Sequence, residues 1–243
     1  MKRLSNHFGE IYELLTYDVP DELWIDVIHH YTGDAASVLD AGCGTGRILK
    51  QLNIKEKYGF DISQDMIAYA QRQIAREAMH LSVQNMLSFK YDRTFDAIIA
   101  TNDVINYLKN KSEVSQVLEN VSHHLNPGGV FIFDIHSEYK MRTEFNDQTY
   151  ADDLDDASYI WFAHRGYAEL SVVHEMIIFT RQEDDTYLKT SEEIYQRTYP
   201  YETMINLIED SSLEHLHSFS DFDVENTVTD ICERVFFILK KPL

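Results

Sequence analysis

Val38-Leu39-Asp40-Ala41-Gly42-Cys43-Gly44-Thr45-Gly46 is the stretch whose reading decides the fold of this chain. A short apolar run ends in an acidic residue, and three glycines follow at alternate positions. Strands covered on both faces read as continuous Val/Leu runs, so Val38 to Asp40 is expected to be the first strand of a parallel sheet. Glycines in the turn tolerate positive φ and carry no Cβ, which lets a ligand lie directly against the backbone. A helix expected from Arg47 to Leu52 would present its unpaired N–H groups to that ligand. The turn reads as a cofactor-binding element.

Its spacing narrows the cofactor. The dinucleotide fingerprint G-x-G-x-x-G uses its third glycine for close helix–strand packing. Here the glycines run G-x-G-x-G, with Asp40 two residues ahead of the first. The order D-x-G-x-G-x-G resembles motif I of the class I S-adenosylmethionine-dependent methyltransferases. That cofactor has an adenosine and an amino-acid tail but no phosphate, so a pyrophosphate-cradling helix terminus is not required. The resemblance implies an α/β, Rossmann-like, seven-stranded, mostly parallel sheet with helices on both faces. A glycine-rich strand-to-helix turn without a ligand is the alternative, and the segments that follow bear on it.

Lys57-Tyr58-Gly59-Phe60-Asp61-Ile62-Ser63 reads as a second strand ending in Asp61, nineteen residues after Gly42. An acidic residue at that strand end can accept hydrogen bonds from ribose hydroxyls. Asp61 could instead cap the helix beginning near Gln64, but Ser63 is the better cap for the run Met66-Ile67-Ala68-Tyr69-Ala70. Leu81 to Met86 resembles the third strand and the turn that brackets adenine. Phe95 to Leu108 resembles the fourth strand and the loop facing the transferable methyl. Leu125 to Asp134 resembles the post-helix turn and fifth strand, with Pro127-Gly128-Gly129 as the helix stop. The resemblance covers about residues 35–135. It implies cofactor contacts at Asp40, Gly42, Cys43, Gly44, Gly46, Asp61, Ile62, Asn85, Met86 and Asn102.

Composition fits a soluble enzyme. The 243 residues suffice for a large core and are expected to form one methyltransferase domain, 1–243. No apolar run reaches membrane-spanning length, and Met1 to His7 lacks the apolar core of a signal peptide. Two cysteines make no disulfide framework, so a reducing cytoplasm is the expected location. Cys43 lies inside the turn, where small size is expected to matter more than its thiol. The net charge is −20, divided as −6 over residues 1–135 and −14 over 136–243. Neither part has the basic cluster that nucleic acid or an anionic membrane needs, so the expected partner is a small-molecule substrate. Acidity by itself gives solubility and names no cationic substrate.

Outside the cofactor core, residues 7–31 read as two helices. Phe8, Ile11, Tyr12 and Leu15 form one apolar stripe, and Leu23, Trp24, Val27 and Ile28 another. Pro20 starts the second, with Asp21 and Glu22 well placed in its first turn. Residues 137–199 read as an antiparallel β insertion after the fifth strand. Its strands are expected near Tyr159–His164, Leu170–Arg181 and Tyr187–Tyr199, rich in β-branched and aromatic residues. Residues 200–243 supply a helix at about Tyr201–Ile208 and strands near Leu213–Phe219 and Arg234–Lys240. The insertion lies at the carboxyl edge of the sheet, where ligands bind. With the N-terminal helices it is expected to cover the acceptor, and Arg197 is expected to approach the cofactor pocket. Use of the hairpins as a homodimer surface is the alternative. The layout, with Tyr12, Tyr17-Asp18-Val19-Pro20 and Trp24, resembles small-molecule methyltransferases including sugar amine N-methyltransferases.

The chemistry follows from the cofactor. Transfer from a sulfonium is an in-line displacement in which protein aligns the nucleophile and excludes water. The eleven histidines show no H-x-x-x-H spacing and the cysteines no C-x-x-C, so no metal is expected. His29-His30 and His123-His124 fall in helices and are expected at the surface. His136, two residues beyond Asp134, is a candidate base, with a backbone-satisfying loop histidine as the alternative. Tyr12 is the second catalytic candidate, with a core aromatic as its alternative. An NAD-dependent oxidoreductase on a similar sheet and a non-catalytic cofactor-binding protein remain as other readings.

Overall fold

The computed structural model describes residues 8–16, 20–73 and 79–243. The amino-terminal heptapeptide and residues 17–19 of the Tyr-Asp-Val-Pro segment lie outside that set. Helices α1 (Phe8–Leu15) and α2 (Asp21–Thr32) lead into β1 (Ser37–Ala41), whose five residues are all buried. The glycine turn, α3 (Arg47–Gln51), β2 (Glu56–Asp61), α4 (Gln64–Gln73) and β3 (Met79–Val83) follow. Then come β4 (Phe95–Ala100), α5 (Lys111–His124) and β5 (Leu125–His136). Ser63 accepts the Met66 N–H at 3.3 Å at the start of α4, the expected cap.

After β5 the chain makes α6 (Glu138–Thr143) and then a separate four-stranded antiparallel sheet. Its strands are β6 (Gln148–Asp153), β7 (Ala157–Arg165), β8 (Ser171–Arg181) and β9 (Tyr187–Arg197), neighbouring in chain order. Three strands were expected here. The extra one, Gln-Thr-Tyr-Ala-Asp-Asp, is almost wholly exposed and carries no hydrophobic alternation; pairing with β7 makes it a strand. The chain then returns through α7 (Tyr201–Glu209), β10 (Glu214–Ser220) and β11 (Arg234–Lys240).

The main sheet runs β10-β11-β5-β4-β1-β2-β3. Strands β3, β2, β1, β4 and β5 are parallel, and β11 is antiparallel to both β5 and β10. This is the expected seven-stranded, mostly parallel Rossmann-like architecture with an antiparallel insertion. Alternate residues feed two cores. Leu39, Ile98, Phe131, Phe133 and Phe237 pack with residues of α5 and α7. Val38, Ile99, Ile132, Phe236 and Ile238 pack with residues of α2 and α3. Trp24 of α2 is fully buried, 5.1 Å from the Phe236 ring. Leu23, expected in the same stripe, is 44% exposed, so the buried stripe is Trp24, Val27 and Ile28.

His124 also departs from the expected surface position. It is buried, its Nε2 accepts the Tyr91 N–H at 3.2 Å, and its ring faces Phe89. His29, His30 and His123 are exposed. Strand order reverses between β1 and β4, which opens a crevice at their carboxyl ends.

Candidate active site

The floor of that crevice is the glycine turn. The Gly42 and Cys43 N–H groups both donate to the Phe60 carbonyl, at 2.8 and 2.9 Å, which holds the turn against β2. Gly42 has φ +91, and a Cβ there would meet Val104 at 2.7 Å. Gly44 has φ +53, and a Cβ there would meet nothing within 4 Å. Its backbone faces open space, the condition for a ligand to lie directly on it. Gly46, also left-handed, starts α3. Cys43 is buried, and burial raises its thiol pKa well above the ordinary value, so it is no ready nucleophile.

Two carboxylates flank the turn. Asp61 ends β2, accepting the Gly44 N–H at 3.0 Å and the Ser63 N–H at 2.8 Å on separate oxygens. Burial raises its pKa, and these backbone donors pull the other way. The adjoining Ile62 is 71% exposed and Val83, at the end of β3, is 50% exposed, an apolar pair beside a polar group. Asp40 is 1% exposed with Oδ1 unpartnered. Burial, followed by repulsion from Asp61, pushes its carboxyl up to about 8. An unpaired buried carboxyl oxygen, an uncovered glycine and an apolar patch beside a strand-end carboxylate fit an adenosine with a charged amino-acid tail.

The wall is the loop after β4. Asn102 and Asp103 both have positive φ, 59 and 54, a conformation costing roughly 1–2 kcal/mol per L-residue. The Asp103 N–H donates to both Asp134 oxygens, at 3.1 and 3.0 Å, which holds this bend. Asp134 is fully buried on β5 and pairs with Arg234 of β11. The same guanidinium reaches Asp103 Oδ1 at 3.2 Å. Asp103 Oδ2 accepts from Gln196 Nε2 at 2.7 Å and lies 3.4 Å from His136 Nε2. Burial opposes ionisation of Asp103, but His136, Arg234 and Gln196 outweigh it and hold the carboxyl well below the usual range.

The second sheet is fastened to this wall through β9. The Asn106 side chain accepts the His136 N–H and donates to the Arg197 carbonyl, both at 2.9 Å. Thr198 Oγ1 donates to the His136 carbonyl at 2.5 Å. Side chains alternate along a strand, and the residue of β9 that faces the site is Gln196. The Arg197 guanidinium instead sits 4.9 Å over the Tyr199 ring. The expected approach of Arg197 is therefore displaced by one position, because a one-residue change of register exchanges the two faces.

Tyrosines close the crevice. Burial, with Asp103 next, pushes the Tyr12 hydroxyl up to about 12. Its helix α1 lies across the glycine turn: Thr45 Oγ1 donates to Glu13, and Gly9 packs so closely on Tyr69 that a Cβ would come within 2.6 Å. Tyr107 is 49% exposed on its open side. Surrounding protein, then Asp103 and Tyr12, push its hydroxyl well above the usual range. Of the other expected contacts, Asn85 is exposed and uses Oδ1 to accept the Leu87 N–H at 2.8 Å. Met86 joins the core around Phe60 and Phe89.

Sequence reading missed Asp103, Tyr107 and Arg234, whereas Gln196 stands among the polar groups of the insertion, with Glu193 and Arg197, that the sequence offers for an acceptor pocket. Asp103 follows Asn102 directly, and Arg234 opens an otherwise apolar strand; both were visible oddities whose partnership only the sheet order reveals.

This strand order, with a glycine turn and a strand-end carboxylate at the β1/β2 edge, defines a class I S-adenosylmethionine-dependent methyltransferase. The chain belongs to that family. Residues 38–129 match the family model described as a methyltransferase domain. YqeM of Bacillus subtilis (strain 168), whose name places it among the methyltransferases, is 33% identical over 239 residues, covering 96% of each chain. A solved S-adenosylmethionine-dependent methyltransferase from Clostridium acetobutylicum ATCC 824 is 26% identical, with a TM-score of 0.87 over 99% of this chain and 100% of that one. The dTDP-3-amino-3,4,6-trideoxy-alpha-D-glucopyranose N,N-dimethyltransferase of Streptomyces venezuelae is 29% identical over 111 residues, 45% of this chain and 46% of its own. The protein is an enzyme of this class, and its cofactor is S-adenosylmethionine.

Proposed function

We propose that this enzyme methylates an amine nitrogen of a small molecule. The observation that carries the reading is the character of the crevice. Two tyrosines, Tyr12 and Tyr107, stand beside the ionised Asp103, with Asp61 at its floor. Aromatic faces and carboxylates favour a group that arrives, or leaves, as a cation. The sugar N,N-dimethyltransferase of Streptomyces venezuelae, named for an amino sugar, supports the same acceptor chemistry.

Asp61 accepts the ribose hydroxyls, with Ile62, Asn85 and Met86 around the adenine. Gly42, Cys43, Gly44 and Gly46 form the backbone bed, and Asp40 and Asn102 flank the amino-acid tail. The cofactor, when bound, supplies an activated methyl group on a sulfonium. The chain's own work is alignment, water exclusion and handling one proton. His136 takes that proton from the acceptor nitrogen. Its Nε2 is turned to Asp103, and its buried Nδ1 has no partner among the described residues. Tyr12, kept neutral by its raised pKa, presents its hydroxyl to the acceptor.

Residues 35–135 hold the cofactor, while the helices of 7–31 and the insertion 137–199 cover the acceptor. Residues 200–243 complete the sheet and supply Arg234. Among the described residues no helix is long and apolar enough to cross a membrane, and Cys43 and Cys232 are buried free thiols. Both fit an enzyme working in the cytoplasm on metabolites. The test is a panel of small primary and secondary amines with S-adenosylmethionine, following S-adenosylhomocysteine release. Turnover with at least one amine, lost in His136→Asn while S-adenosylhomocysteine still binds, is the expected result. Turnover only with alcohols or carboxylates would overturn it.

A further inference from the structure

Behind Asp103 lies a row of polar side chains that the reaction does not use directly. Trp161 Nε1 donates to His174 Nδ1 at 2.9 Å, and His174 Nε2 is 3.1 Å from Gln196 Oε1. Gln196 Nε2 in turn donates to Asp103 Oδ2 at 2.7 Å. His174 and Gln196 are each about 5% exposed or less, so water does not interrupt the row.

The direction of every bond is fixed by its two ends. An indole N–H can only donate, and a carboxylate can only accept. His174 must therefore accept at Nδ1, which places its single proton on Nε2. That proton is donated to Gln196 Oε1, which leaves the Gln196 amide N–H groups facing Asp103. Turning the amide over would set its oxygen against the Asp103 carboxylate and the Trp161 N–H against a second donor. Only one arrangement of protons satisfies all four groups.

We propose that Trp161, His174 and Gln196 form a one-directional hydrogen-bond chain through which the second sheet positions the Asp103 carboxylate, and with it His136. Its members come from β7, β8 and β9, and it ends on the loop after β4. His174 and Gln196 are thus positioning residues. The titratable and charged groups around its end are Asp103 itself, His136 on β5, Arg234 on β11, Asp134 on β5, and Tyr12 and Tyr107 across the crevice. Around His174 they are His136 and Asp103, with the Phe145 ring packed edge-on at 4.8 Å. Burial depresses the His174 pKa to about 4, which agrees with an imidazole that stays neutral while it passes the bond along.

The consequence for methyl transfer rests on the proposed role of His136, but the chain is testable without an acceptor. In the full-length protein labelled with 15N-histidine, long-range nitrogen–proton spectra report each tautomer directly. The expected result is a His174 held as the neutral Nε2–H tautomer between pH 5.5 and 8. Trp161→Phe removes the indole N–H and keeps an aromatic ring. The Asp103–Gln196 end still demands the Nε2–H tautomer, so His174 should keep it while its Nδ1 resonance moves on losing its donor. Only Trp161→Phe combined with Gln196→Met should release the ring into a mixture of tautomers. A His174 that is Nδ1–H or charged at neutral pH, or spectra unchanged in Trp161→Phe, would overturn the proposal. Gln196→Met keeps the side-chain length without its hydrogen bonds. With an amine acceptor in hand, it should lower kcat at least tenfold and displace the pH profile, with S-adenosylhomocysteine affinity within twofold of wild type. An unchanged kcat and profile would refute the link to His136 even where the tautomer result holds. Locked tautomers in a protein that methylates no amine would instead refute only the acceptor assignment.

Discussion

Asp61 offers the sharpest quantitative prediction, because its two oxygens have countable partners. Each already accepts one backbone N–H, from Gly44 at 3.0 Å and Ser63 at 2.8 Å. A carboxylate has about four acceptor sites, so capacity remains for both hydroxyls of a ribose. Hydrogen bonds to a charged group contribute roughly 1.5–3 kcal/mol each. Losing two corresponds to about 3–6 kcal/mol, or at least a hundredfold in affinity at about 1.4 kcal/mol per decade. Asp61→Ala would also strand the Gly44 and Ser63 N–H groups and loosen the turn, so it confounds binding with folding. Asp61→Asn is the milder change, since its size is kept and its amide oxygen still accepts one of the two N–H groups. Titration calorimetry with S-adenosylhomocysteine should show at least a tenfold loss for Asp61→Asn and a larger one for Asp61→Ala. Thermal denaturation should show the Asn variant folded. An Asn variant that binds within twofold of wild type would mean that Asp61 only holds the glycine turn.

Other outcomes follow from neighbouring geometry. S-adenosylhomocysteine at a hundred times its dissociation constant should stabilise the fold by roughly 2.7 kcal/mol, and NAD should not, as read by denaturant midpoints. Gly44→Ala meets no protein atom within 4 Å but forces an L-residue to φ +53, so it should cost roughly 1–2 kcal/mol and also obstruct cofactor binding. Gly42→Ala should be worse in denaturation, since its Cβ would collide with Val104 at 2.7 Å. Folded His174 has a pKa of about 4 against 6.5 when free, so the unfolded chain takes up its proton first. The stability this gives is fully present above pH 6.5 and is lost as pH falls towards 4, on the order of 3 kcal/mol at 1.4 kcal/mol per unit. A His174→Gln variant should lack that slope in urea titrations, and an identical slope would refute it.

The legible part of the molecule was the part governed by local rules. A both-sides-buried run ending in Asp40, three spaced glycines and a strand-end Asp61 were enough to order β1, α3 and β2 and to name the cofactor. What resisted reading was set by partners distant in sequence. Gln196 and Arg197 are adjacent on β9, and only the pairing of β9 with β8 and its seating on the Asn106 loop decide which faces the site. Arg234 meets Asp103 across more than a hundred residues because β11 inserts beside β5. His124 looked solvent-facing in a helix until the Tyr91 N–H supplied its partner. Strand β6, polar and exposed, has no inward face to betray it.

The central claim, methyl transfer to a small-molecule amine, is tested most directly by following an isotopic methyl label. The enzyme is incubated with methyl-labelled S-adenosylmethionine and a cell extract separated into low- and high-molecular-mass fractions. The expected result is label on the nitrogen of a low-molecular-mass compound, absent when His136→Asn replaces the wild type. Label confined to protein or nucleic acid, or carried on oxygen in the small-molecule fraction, would contradict the account.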